Sequence, residues 1–165
     1  MSDFFADRDL RGKPLELLAA DHFHKLQVPF GFNPYSETQD PRREDFDLYT
    51  GQPQDPLLWE FKMDWLSAIT GNVFIEEKTL RNTKADKMAI GRLYIDVFET
   101  AKLKELFNAK NRIRRPDGTY SEQFVHKHLV GGDQVTNMGM LLDWKTCKEH
   151  SKPFWLVSRE LTQRH

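Results

Sequence analysis

A single cysteine, Cys147, among 165 residues excludes an internal disulfide and agrees with a reducing compartment. No stretch stays apolar long enough to span a bilayer, and the opening MSDFFADRDLRG is too acidic and too broken for a signal peptide. The expectation is a cytoplasmic protein with no membrane partner. There is no glycine-rich phosphate loop and no serine nucleophile elbow, so ATPase and serine-hydrolase chemistry have no motif to rest on. Internal repeats, low-complexity tracts and linkers are absent as well, and the length suits one domain over residues 1–165. Two His-x-His pairs, His22 with His24 and His126 with His128, carry no zinc signature. On a helix the first pair points to opposite sides, and the second has no cysteine pair at finger spacing.

Charge is present but unevenly spread. The formal net charge of −1 divides into 7 Lys/Arg against 13 Asp/Glu over residues 1–64 and 17 against 12 over residues 65–165, or −6 and +5. The basic excess lies in Lys78, Arg81, Lys84 and Lys87 and again in Lys110, Arg112, Arg114 and Arg115. Phosphate contacts from such residues supply salt-sensitive affinity for nucleic acid. Lys84, Lys87, Arg112, Arg114 and Arg115 are the candidate DNA contacts, against the plainer reading of a solvated charged surface.

Along the chain, PLELLAADHFHKLQ (14–27) predicts an amphipathic helix, with apolar residues at Leu15, Leu18, Ala19, Phe23 and Leu26. Prolines 29, 34 and 41 with Gly31 predict a long loop to a first hairpin strand near Phe46, and Gly51–Pro56 a turn. NVFIEEK reads as a third strand and MAIGRLYIDVF as one central fourth strand. Thr100 caps a helix with Leu103, Leu106 and Phe107 on its inner stripe. KNRIRRPDG then closes that helix with a turn at Pro116–Gly118. QFVHKHLV predicts a strand, Gly131–Gly132 a turn, MGMLLDWKTCKEH a helix and PFWLVS a late strand. The class is α/β, a small mixed β-sheet flanked by helices.

The most informative segment is DLYTGQPQDPLLWEFK, residues 47–62. Glu60, Lys62 and Asp64 alternate with Trp59, Phe61 and Met63, the period-two pattern of a strand with one polar and one oily face. Asp47 lies 13 residues before Glu60, across the turn. Two acids and a lysine converging on one side of a hairpin are costly to bury alone, and a divalent cation is the usual remedy. That makes metal-assisted phosphodiester hydrolysis the first expectation.

The arrangement resembles the PD-(D/E)XK nuclease superfamily, with Asp47 on one strand and Glu60-Phe61-Lys62 on the next. EFKMD, then TGNVFIE (70–76) and TKAD (83–86), in that order, are similar to its phage-type branch over roughly residues 45–100. No proline directly precedes Asp47, a departure from the motif's name. The resemblance implies a restriction-endonuclease-like core in a single nuclease-like domain, and a Mg²⁺- or Mn²⁺-dependent deoxyribonuclease acting in phage-type recombination, repair or DNA degradation. For a phage-encoded chain the compartment is the host cytoplasm. It also implies Asp47, Glu60 and the backbone carbonyl of Phe61 as metal ligands, and Lys62 as the group that holds the attacking water and stabilises developing charge. Glu16, on the first helix, matches the helical glutamate that many members aim at the metal; helix-dipole stabilisation explains the same residue. DNA is the implied partner, and a branched-DNA resolvase would add a homodimer carrying two sites.

Asp64, Glu76 and Lys78 form a competing register, with Asp64 12 residues before Glu76 and a second Glu-x-Lys at Glu76-Glu77-Lys78. These residues rank as accessory groups. From a different class, a catalytically silent DNA-binding or nuclease-inhibiting module on the same fold competes with the enzyme, and Asp47, Glu60 and Lys62 argue against it.

Overall fold

The computed structural model describes residues 13–34, 45–64, 67–91, 94–111, 125–130 and 133–163. Side chains in 125–138 and at residues 13, 14, 68, 110 and 111 are excluded. The chain runs through α1 (Lys13–Lys25), β1 (Phe30–Phe32), β2 (Leu48–Thr50), β3 (Leu57–Met63), α2 (Ser67–Thr70), β4 (Asn72–Glu76), α3 (Glu77–Asn82), β5 (Lys87–Gly91), β6 (Ile95–Glu99), α4 (Thr100–Asn111), β7 (Val125–Val130), β8 (Asp133–Asp143), α5 (Trp144–His150), β9 (Ser151–Pro153) and α6 (Phe154–Thr162). Six strands form one sheet in the order β1-β2-β3-β5-β6-β9, and β4-β8-β7 form a second. Every pairing is antiparallel except β3 with β5. The mixed α/β class holds, as a mixed sheet with helices on both faces.

The alternation in β3 decides which face is which. Trp59 and Phe61 point into a core with Leu15, Ala19 and Phe23 of α1 and Phe154 and Val157 of α6. Register carries that face to Ala89 and Val97. The opposite face of β5 and β6, carrying Met88, Ile90 and Phe98, is covered by Val73, Ile75, Met140 and Leu142 of the second sheet and by Leu103, Phe107 and Cys147 of α4 and α5. Glu60 pairs with Met88 and Lys62 with Ile90, so both charges sit on this second face, at the border of its core.

Several expectations are corrected. Thr100 starts α4 from inside the helix, with its buried hydroxyl making no capping hydrogen bond. MAIGRLYIDVF is a hairpin, β5 and β6, with Gly91-Arg92 in its middle as the signal of the reversal that the apolar character on either side obscured. Its Gly91 lies so close under α1 that an added Cβ would meet Met63 Sδ at 2.8 Å and a Leu15 methyl at 3.0 Å. MGMLLDWKTCKEH is strand up to Asp143 and helix only from Trp144, with the Asp143 carboxylate accepting the Thr146 amide at 2.7 Å as a cap. PFWLVS is the start of α6, whose buried Phe154, Val157 and Ser158 follow helical spacing. The third strand also ends at Glu76, two residues early, and belongs to the second sheet. Among the described residues no helix is long and apolar enough to cross a membrane.

Candidate functional site

The site forms where β2 stops short beside β3. Odd-numbered residues of β3 direct their peptide groups toward β2: Leu48 pairs with Trp59, and the Asp47 amide donates to the Trp59 carbonyl at 2.8 Å. One step further, the strand partner is a side chain. Asp47 Oδ2 accepts the Phe61 amide at 2.6 Å, and the Phe61 carbonyl faces the same side, past the last rung of the ladder. Asp47 is pinned from its other side too, since its carbonyl accepts the Asn33 amide at 2.9 Å. The buried Asn33 also donates its side-chain amide to the Phe46 carbonyl at 2.7 Å.

Glu60 lies one residue along β3, on the partly buried polar row. Burial pushes its carboxyl well above the usual glutamate range, and the charge of Asp47 pushes it further the same way. A hydrogen bond from the Thr83 hydroxyl, 3.3 Å from Oε2, and the positive charge of Lys62 pull back, while Glu16 adds a last, weaker push. Asp47, Glu60, Lys62 and Glu16 therefore act on one centre although they come from three separate parts of the chain. Lys62 Nζ lies 3.5 Å from Glu76 Oε1 at the end of β4, both side chains being about one-quarter to one-third exposed.

Two carboxylates and a backbone carbonyl are hard oxygen donors, and Mg²⁺ is commonly held by one or two carboxylates while keeping several waters. A dication would also relieve the like-charge repulsion that raises the Glu60 carboxyl. The residues fit such an ion. Among the described residues, no three His, Cys, Asp or Glu side chains are gathered tightly enough to enclose a metal by themselves, so water would have to complete the shell.

The accessory candidates divide. Asp64 accepts the Ser67 amide at 3.1 Å and the Phe74 amide at 2.9 Å, while Ser67 Oγ donates to its carbonyl at 2.8 Å; its side chain braces the turn from β3 into β4. Glu76 reaches the site through Lys62. Lys78 is exposed on α3, past the end of the strand, so Glu76-Glu77-Lys78 does not form a strand-borne pair like Glu60 and Lys62. Lys84 is 70 % exposed and pairs with Asp45 at 2.9 Å, within reach of solvent and phosphate. Lys87 is bridged to Glu99 and only 19 % exposed, a poorer phosphate contact. Arg112, Arg114 and Arg115 lie outside the described residues. His22 bonds Ser158 Oγ at 2.8 Å while His24 is exposed, so the pair does diverge.

Sequence reasoning missed Thr83, Asn33 and Asp45 as supports of the site. Their distance in sequence from the residues they hold hides them; only TKAD, as a block, drew attention to Thr83.

Compared with protein-family models the chain matches none, and no curated protein matches it.

Proposed function

We propose that the chain is a metal-dependent deoxyribonuclease of the PD-(D/E)XK type, built on a restriction-endonuclease-like core, with Asp47, Glu60 and the Phe61 carbonyl as ligands of Mg²⁺ or Mn²⁺. The observation that carries this reading is the convergence on Glu60 of Asp47, Lys62 and Glu16, a gathering in which burial and the Asp47 charge push the Glu60 carboxyl well above the usual glutamate range. A module that only binds DNA gains nothing from gathered acids facing a polyanion.

Bound at these oxygens, the cation would polarise the scissile phosphate and acidify a water. Lys62 neutralises negative charge as phosphorus becomes five-coordinate and orients the attacking water. Glu76 steadies the ammonium from the end of β4 in the second sheet. Glu16 offers a further acceptor for a water proton from the helix side. Lys84, together with the basic segment at Arg112, Arg114 and Arg115, would guide the DNA backbone.

A panel of linear duplex, single strand, flap and four-way junction, each with Mg²⁺, Mn²⁺ or chelator, tests the reading. Metal-dependent cleavage of at least one substrate, lost in Asp47→Asn and Glu60→Gln, is the expected result. DNA binding with no cleavage of any member would favour the catalytically silent module instead.

A further inference from the structure

Thr83 is buried at the end of α3, in the connection to β5. Its amide closes the helix on the Thr79 carbonyl at 2.9 Å, and its Oγ1 accepts the Ala85 amide at 3.1 Å. With that acceptor role filled, its one hydroxyl proton faces two acceptors at 3.3 Å, the Asp45 carbonyl and Glu60 Oε2. The next residue tightens the same grip: the Lys84 amide donates to the Asp45 carbonyl at 2.7 Å and Lys84 Nζ to Asp45 Oδ2 at 2.9 Å. Just beyond, the Asp86 amide donates to the Leu58 carbonyl at 2.8 Å and its Oδ2 accepts the Leu58 amide at 2.9 Å.

A single short segment thus holds both strands of the site, one at Asp45, two residues before Asp47, and the other at Leu58 and Glu60. We infer that Thr83 is a positioning residue whose shared hydroxyl sets the separation and orientation of the Asp47 and Glu60 carboxylates. The inference rests on the nuclease reading and deepens it. With one proton and two acceptors, the hydroxyl can turn to the Asp45 carbonyl when Glu60 turns toward a ligand. The carboxylate is then released without leaving a buried hydroxyl unsatisfied. Groups that orient ligands in this way typically change metal affinity by about 10–100-fold when removed.

The test is Mn²⁺ calorimetry on the full chain, with thermal melting in chelator and steady-state cleavage, for the parent, Thr83→Val and Thr83→Ser. Valine keeps the shape and removes the hydroxyl, while serine keeps the hydroxyl. The expected result is an Mn²⁺ affinity about 10-fold weaker in Thr83→Val, near-parental affinity in Thr83→Ser, and a lowered kcat in the valine variant with KM for DNA little changed. A valine variant that melts lower but binds Mn²⁺ like the parent would make Thr83 a packing residue and overturn the inference. So would a serine variant as impaired as valine, or, should valine not fold, a serine variant below parental affinity. A parent that binds no Mn²⁺ would instead bring down the nuclease reading, and the positioning role with it.

Discussion

Asp47 and Phe61 meet through a 2.6 Å hydrogen bond in which a carboxylate oxygen takes the place of the next backbone rung between β2 and β3. One acidic oxygen thereby ends the strand pairing, beside the edge on which the Phe61 peptide group faces. Structure and charge are separable at this residue. Asparagine can still accept the Phe61 amide but carries no charge, whereas alanine strands that amide. Asp47→Asn is predicted to abolish cleavage with little loss of stability. Asp47→Ala should lose activity and about 1–3 kcal/mol of stability as well. Urea unfolding of both variants checks the difference, and equal stabilities would show that the 2.6 Å contact does not hold the strand end.

Glu60 makes a prediction about pH in metal-free protein. Its folded-state affinity for a proton is raised, first by burial and then by Asp47. The folded state therefore holds a proton that the unfolded state has released, and stability falls as pH rises from the ordinary glutamate range through the raised folded value. Glu60→Gln removes that loss. In chelator it should melt higher than the parent at pH 8, by roughly 2–4 °C for each kcal/mol recovered, and the gap should close toward pH 4. Mg²⁺ should raise the parent's melting temperature and leave the variant's almost unmoved. A variant that melts below the parent at pH 8 in chelator would mean the Glu60 carboxylate is not under the repulsion described.

Lys62 is expected to act on the transition state more than on binding. Lys62→Ala should lower kcat by about 100-fold or more while DNA affinity changes far less. Mn²⁺ affinity should hold or tighten once the neighbouring positive charge is gone. Parental turnover in saturating Mg²⁺ would remove Lys62 from the chemistry.

Asp64 is predicted to matter for folding alone. Its two oxygens accept the Ser67 and Phe74 amides, so Asp64→Ala should cost about 1–3 kcal/mol of stability. Cleavage by the folded fraction should stay at the parental rate. A normally folded but inactive variant would return Asp64 to the metal centre.

Much of this was legible from alternation. LLWEFKM separated Trp59 and Phe61 from Glu60 and Lys62 because a strand has a period of two, and β3 has that division of faces. The same logic failed where periodicity was silent or composition misled. PFWLVS looks like a strand by its aromatic and β-branched residues, yet Phe154, Val157 and Ser158 line one helical face beneath α1 and β3. The Asp143–Thr146 cap was readable in LLDWKT and would have placed the start of α5 correctly. The support from Thr83 could not be read, since a hydroxyl 23 residues from Glu60 becomes its neighbour only when β5 pairs parallel to β3.

The central claim is that Asp47, Glu60 and Lys62 form a metal-dependent nuclease centre. Its most direct test is the rate at which the parent and Glu60→Gln, each shown to be folded, cleave the best substrate of the panel in Mg²⁺ and in chelator. Cleavage by the parent is expected only with metal, and the variant is expected to be slower by at least about 100-fold. Equal rates for the two proteins in Mg²⁺, or undiminished cleavage by the parent in chelator, would contradict it.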